Sequence, residues 1–443
     1  MPYSAMENTE TKINRINLIA VQKPETRFLS LKYLLNDIFL MNCFNRLKRR
    51  RAPGVDGRTK ESYEPGEMEK EIHKMVVSMK MNTYRPQPVR RVEIPKENGK
   101  KRALGIPTVL DKVGQEACGE ILQAIWEPKL LDVSFGYRPN RDAHGAVKAV
   151  HDMLMIQRVN YILEADIKGF FDHVDHTWMR KFLALHILDS RFLNLITSML
   201  KAGVMTQGKV MKATEGTPQG GIISPILANI YLHYILDLWF EKRMKKQVRG
   251  FIQLIRYADD FIIGCQYRED AEKLLQDIQE RFAKFGLSLS MDKTKVLEFG
   301  RFASENRKRR GQGKPETFDF LGFTHYCGVS RKGAFAPKVK TARKRMKRAL
   351  HAMNEYMKKN RSKPLKLFWE MTAMKVRGHY QYYSVSDNSD RINMFYQKTR
   401  KLAFMWLNKR SQRKSFTWKK FTSFLRLYPL PKPRLYYALY NTN

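Results

Sequence analysis

Two short apolar runs joined by a pair of acids constrain this chain more than any other feature. Phe251-Ile252-Gln253-Leu254-Ile255-Arg256 leads into Tyr257-Ala258-Asp259-Asp260, and Phe261-Ile262-Ile263-Gly264-Cys265 follows. Runs of this length, rich in Ile and Phe and split by polar residues, predict a β-hairpin with the acids at its tip. An Asp-Asp pair also makes an ordinary turn. Two adjacent carboxylates repel each other, however, and a divalent cation removes that repulsion.

Charge sets the partner class. Lys and Arg number 82 against 43 Asp and Glu, a formal net charge of +39. Such an excess opposes compaction unless a polyanion offsets it. Nucleic acid is the leading partner and an anionic membrane surface the second. At 443 residues and 43% hydrophobic, the chain can build two or three domains around a large core. Cys43, Cys118, Cys265 and Cys327 form no CxxC pair, which argues against a zinc module and a disulfide scaffold. The N-terminus lacks a signal pattern, and the most apolar long window, 221–240, is broken by Pro225, Asn229, His233 and Asp237. A soluble protein in a reducing compartment is expected.

Residues 1–25 are polar and expected to be mobile, and 29–47 reads as a short amphipathic helix. Lys48-Arg49-Arg50-Arg51 runs into the turn-forming Pro53-Gly54-Val55-Asp56-Gly57, a basic loop that is either a charged connector or a phosphate-backbone contact. Residues 89–95 and 101–107 alternate as strands around Glu97-Asn98-Gly99-Lys100. Lys96 and Arg102 flank that turn, where they can clamp a triphosphate or simply be solvated. Helices are expected over 109–131, from Asp142 onward, and over 176–200. Residues 161–167 read as a strand reaching a carboxylate at Asp166, which is either a metal ligand or a helix N-cap. Gly216-Thr217-Pro218-Gln219-Gly220-Gly221 either lets backbone approach a phosphate or base, or simply connects; without GKS or GKT it is no P-loop.

Beyond the central hairpin, a helix over 271–285 should stop at Gly286. Strands are expected over 287–290 and 296–299, a mobile basic loop over 301–314, and a last small strand over 318–323. From Pro337 on, Lys338, Lys340, Arg343, Lys344, Arg345, Lys347 and Arg348 crowd an expected helix, which puts a domain boundary near 330. Aromatics from Trp369 to Phe421 interleave with Lys and Arg, most of them core and a minority free to stack on bases. Pro429, Pro431 and Pro433 predict an extended tail.

Taken in order, these pieces resemble a reverse transcriptase over 26–440. Within that class the chain is similar to group II intron-encoded proteins, which combine a reverse transcriptase with a maturase. The resemblance rests on Ala52 to Gly57, Lys96 to Pro107, Ser134 to Asn140, Ala165 to Asp172, Gly216 to Pro225, Tyr257 to Asp260, Lys293-Thr294-Lys295 and Phe320-Leu321-Gly322-Phe323. It implies an α+β right-hand polymerase. Fingers and palm with a short N-terminal extension cover 1–330, a helical thumb 331–400, and a small basic nucleic-acid-binding module 401–443.

By the same resemblance Asp166, Asp259 and Asp260 are the catalytic carboxylates, and with the Ile167 carbonyl they hold two Mg²⁺ ions. Lys96, Arg102, Phe171, Gln219, Gly220 and Lys293 contact the dNTP. Phe171 is the steric gate against a 2′-hydroxyl, and Lys295 is the alternative to Lys293. Arg49, Arg50, Arg51, Lys340, Arg343, Lys344 and Lys347 contact nucleic acid. The implied activity is RNA-directed DNA polymerisation, with binding of the protein's own intron RNA to assist splicing and mobility. Partners are an RNA template, intron RNA, an RNA–DNA hybrid, dNTPs and a DNA target, with no membrane. No cysteine-paired HNH endonuclease module is expected after the thumb, in a bacterial, cytoplasmic, nucleoid-associated protein. The competing readings are a splicing factor with an inert polymerase and a domesticated relative in repair or phage defence.

Overall fold

The computed structural model describes residues 3–95, 101–206, 209–211, 215–216, 220–410 and 416–440, with the backbone alone at 3–8, 95, 101–102, 206 and 209–211. Three helices open the chain: α1 (Tyr3–Gln22), α2 (Asp37–Arg46) and α3 (Glu67–Lys80). The expectation of a mobile start is therefore corrected. Ile13, Ile16 and Ile19 recur at helical spacing and pack with Ala20 on the main core. Helix α2 starts later than the pattern suggested because Asn36 caps it, accepting from the Phe39 amide at 3.0 Å.

The strands β1 (Val89–Pro95) and β2 (Lys101–Ile106) pair antiparallel, from Arg90↔Ile106 to Pro95↔Lys101. Helix α4 (Val109–Trp126) is buried along much of its length. Helix α5 (Ala143–Ile156) begins where Asp142 accepts from the Gly145 amide at 2.7 Å. After β3 (Tyr161–Asp166), the single helix expected over 176–200 is two, α6 (His176–Ala184) and α7 (Ser190–Leu200). The break serves Asp189. Its carboxylate accepts from Phe192 at 3.0 Å and from the distant amides of Leu31 and Lys32 at 2.8 and 2.9 Å. Short strands β4 (Val204–Thr206) and β5 (Lys209–Met211) complete a sheet of order β2-β1-β4-β5.

Helix α8 (Ser224–Leu232) continues through a π-helical turn, His233–Asp237, into α9 (Leu238–Lys242). The hairpin strands are β6 (Ile252–Tyr257) and β7 (Asp260–Cys265). Helix α10 (Arg268–Ala283) ends before Gly286, which takes φ 75°. With β8 (Lys295–Glu298) they form a wholly antiparallel central sheet of order β6-β7-β3-β8. The strand expected over 287–290 is reduced to one bridge, Leu289 to Ile167. Why the hairpin runs are continuously apolar is now plain: the sheet is covered on both faces. Phe261 and Ile263 enter the main core with Leu274 and Phe282 of α10, while Ile262 enters a second core with Met153, Phe299 and Phe318.

The expected loop over 301–314 contains α11 (Ala303–Arg309). The expected last strand is a tight hairpin: β9 (Phe318–Phe320) turns through Leu321 and Gly322, φ 50° and 83°, into β10 (Phe323–Val329). Strand β11 (Phe335–Thr341) pairs with β10, so the boundary near 330 falls in a hairpin turn and the helix expected from Pro337 begins at Arg343. Helices α12 (Arg343–Asn360), α13 (Leu365–Tyr383), α14 (Ser389–Asn408) and α15 (Trp418–Leu427) share one core. Met346, Phe368, Tyr380, Phe395, Trp406, Phe421 and Leu430 belong to it. Residue 400 lies inside α14, and residues on both sides of it contribute to this core. The fold is α+β. No described helix is long and apolar enough to cross a membrane, and all four cysteines are free thiols.

Candidate active site

Sheet register brings the acids together. Strands β3 and β7 are neighbours, and Asp166 stands directly opposite Asp260. Residues opposite each other in an antiparallel pair point to the same face. Asp259 lies in the turn that links the paired residues Tyr257 and Asp260. The Asp260 carboxyl is within hydrogen-bond reach of Asp166, and its pKa is raised above the ordinary carboxylate range. Surrounding protein strips water from it, and the like charges of Asp259 and Asp166 add to the shift. Asp260 still presents an exposed surface. Among the described residues no three Asp, Glu, His or Cys side chains converge closely enough to enclose a metal ion.

Ile167 follows Asp166 and bridges to Leu289. The bonds on either side of that bridge run from Lys168 N to Ser288 O and from Ser290 N to Asp166 O, both at 2.8–2.9 Å. Ile167 is thus a non-hydrogen-bonded member of the pair. Its carbonyl points the other way, toward the side of β3 where β7 has already given way to the acidic turn.

The same peptide that supplies Leu289 leads to the two candidate lysines. Lys293 Nζ meets Asp166 Oδ2 at 2.7 Å, and this hydrogen bond raises the lysine pKa. Lys295 instead pairs with Glu164 at 3.3 Å. Glu164 was not singled out from the sequence, although alternation places it on the face of Asp166, two residues away. Burial raises its pKa despite that partner. A cavity of about 260 Å³ is lined by Glu164, Asp166, Asp260, Lys293, Asp319 and Lys344, among others.

Phe171 is 8% exposed and meets Phe170 edge to face, ring centres 5.3 Å apart. The glycine-rich loop presses on this segment. A Cβ at Gly216 would lie 2.9 Å from Asp172 O and 3.0 Å from Phe171 O. His176 Nε2 holds the Gly216 carbonyl at 2.6 Å. Gly220, φ 110°, approaches β2 so closely that a Cβ would sit 2.6 Å from Gly105 O. Lys96 and Gln219 lie outside the described residues, as does the side chain of Arg102, whose backbone pairs with Ile94.

The predicted basic residues divide. Arg51 lines a second cavity of about 530 Å³ with Lys48, Lys60, Lys112 and Gly220. Arg49 and Arg50 are exposed, and the Arg50 amide donates to Glu61 at 2.8 Å. Lys344 reaches the carboxylate cavity; Arg343 and Lys347 are exposed on α12. Lys340, on β11, places Nζ 4.8 Å from the Tyr326 ring centre.

The protein-family profile described as reverse transcriptase (RNA-dependent DNA polymerase) matches residues 94–325. Over 312 residues the chain is 35% identical to the group II intron-encoded protein LtrA of Lactococcus lactis subsp. cremoris, covering 68% of this chain and 52% of that protein. It is 33% identical over 281 residues to the protein YkfC of Escherichia coli K12, covering 55% of this chain and 72% of that protein. It is also 37% identical over 251 residues to an uncharacterized 91 kDa protein in a cob intron of Schizosaccharomyces pombe, covering 56% and 31%. The chain therefore spans about half the length of LtrA.

Proposed function

From the premise that this chain belongs to the reverse transcriptase family, we propose that it is an RNA-directed DNA polymerase of the group II intron-encoded kind. The observation that carries the reading is the pairing of Asp166 with Asp260, with Asp259 in the adjoining turn and Lys293 on the same carboxylate. In this reading Asp166, Asp259, Asp260 and the Ile167 carbonyl would hold two Mg²⁺ ions, which would supply positive charge beside a primer 3′-hydroxyl and a leaving pyrophosphate. The donor set is all oxygen, which suits a hard divalent cation, and the crowding of like charge at Asp260 is what a cation relieves.

The chain's own groups do the rest. Lys293, kept protonated by Asp166, meets the pyrophosphate, while Lys295 is engaged by Glu164. Phe171 excludes a 2′-hydroxyl. Lys96, Arg102, Gln219 and Gly220 complete the dNTP contacts. Arg49, Arg50 and Arg51 follow the template, and Lys340, Arg343, Lys344 and Lys347 follow the RNA–DNA hybrid by its backbone. Primer extension on an RNA template tests this with Asp259→Ala and Asp260→Ala. Undiminished cDNA synthesis by either variant removes the assigned chemistry.

The likeness to LtrA supports a second role, binding of the protein's own intron RNA to assist splicing. That role uses charge and shape rather than the acids. The same variants should keep wild-type RNA affinity and splicing assistance; loss of both alongside polymerisation would count against a separate role.

A further inference from the structure

Arg256 is the last residue before the Tyr-Ala-Asp-Asp turn, and its side chain is 0% exposed, as is that of Asp237. By strand alternation it points to the face of the sheet opposite Asp166 and Asp260. A buried guanidinium requires a counter-charge and partners for its donors. Nε and Nη2 fork onto Asp237 at 2.8 and 2.6 Å. Nη1 donates to Asn229 Oδ1 at 3.1 Å and to the backbone carbonyl of Ala258 at 3.0 Å.

Ala258 is the first residue of the acidic turn and takes φ 57°, a region L side chains avoid. Its conformation is held from three sides. Arg256 takes its carbonyl. Asn229 donates to the Gly136 carbonyl at 2.8 Å, and Gly136 lies so near that a Cβ there would be 2.6 Å from the Ala258 amide. The Arg256 backbone binds the same loop, donating to Val133 O at 2.7 Å and accepting from Phe135 N at 2.9 Å. Asp237 itself sits in the π-helical turn His233–Asp237, an irregularity that re-aims side chains and recurs at functional sites.

We infer that Arg256, Asp237 and Asn229 are positioning residues for the acidic turn. They hold Ala258 in its left-handed conformation and thereby fix Asp259 and Asp260 relative to Asp166. A buried ion pair adds little stability over apolar side chains of equal volume; what this one supplies is direction. The inference rests on the polymerase reading above.

The test uses the full chain with Asn229→Ala and Arg256→Lys. The first leaves the Arg256–Asp237 pair intact but cuts the link to Gly136. The second keeps the charge but cannot reach Asp237, Asn229 and Ala258 together. With dTTP on poly(rA)/oligo(dT), kcat should fall about 10–100-fold while KM stays within roughly 3-fold. Mn²⁺ affinity of the nucleic-acid-free protein, read by electron paramagnetic resonance, should fall by about 10-fold or more. Folded variants with wild-type kcat and Mn²⁺ affinity overturn the inference, whatever their melting temperatures. If Arg256→Lys does not fold, Asn229→Ala decides alone. If the wild type extends no primer, the polymerase reading falls, and the Mn²⁺ titration by itself upholds or overturns the clamp.

Discussion

Around the β6–β7 turn, charges are matched at fixed distances: Arg256 forks onto Asp237, and Lys293 meets Asp166 at 2.7 Å. Along α12, Arg343, Lys344 and Lys347 stand exposed, on a helix whose other face sends Met346, Met353 and Met357 into an apolar core. The two regions answer different demands. On the proposed function the β6–β7 turn holds reacting atoms, and there position is over-determined by several bonds on each group. On the same reading the α12 face follows a polyanion, for which charge density suffices and no single side chain is decisive.

The largest contrast should come from Asp260→Asn. Primer extension should fall by on the order of 10²–10³-fold or more, because preorganised charge at the reacting centre is removed. RNA affinity, measured by filter binding, should stay within about 2-fold, since the acids are no part of the backbone contacts. Equal losses in both assays would erase the distinction between the regions.

Next comes Arg256→Met, which strands Asp237 as an uncompensated buried charge. It should destabilise the fold by about 3–5 kcal/mol in urea denaturation. Adding Asp237→Leu should restore much of that stability without restoring kcat. A double variant with full activity would show that the pair serves the core and not the turn.

Acid should weaken both regions together. His233, beside the Arg256–Asp237 pair, and His379, stacked on Phe395 at 3.7 Å, are each pushed down to about 4 by burial. The unfolded chain, with ordinary histidine pKa values, binds more protons than the folded one between pH 6.5 and 4. Stability is therefore full above pH 6.5 and declines as pH falls through that window, by about 2 kcal/mol per histidine at pH 5. Thermal melts from pH 7.5 to 5 check this, and His379→Phe should flatten part of the slope.

The smallest effect belongs to Lys347→Ala. Affinity for RNA should drop less than about 3-fold, and the slope of log affinity against log salt should become shallower by about 0.7–0.9. A tenfold loss from this one side chain would make α12 a specific site rather than a charged track.

Local signals suffice where local physics decides. The acidic hairpin, β1 and β2, the helix start near Asp142 and the stop at Gly286 all follow from short-range periodicity and turn residues. Such signals do not suffice where distant groups intervene. Asp189 splits 176–200 because its partners lie at Leu31 and Lys32. Polar composition hid the Ile13, Ile16 and Ile19 stripe of α1, which becomes visible only against the core it joins. Surface charge near 330 masked the β10–β11 pairing.

By itself, then, the amino-acid order determined a strongly basic chain with acids poised at a hairpin tip, since charge and side-chain period are properties of neighbours. Only the tertiary structure decided that Asp166 faces Asp260, that Lys293 rather than Lys295 reaches them, and that Arg256 grips the turn from behind. Those outcomes depend on which strands pair and which faces are buried. Burial is a sum over the whole chain, so no local stretch encodes it.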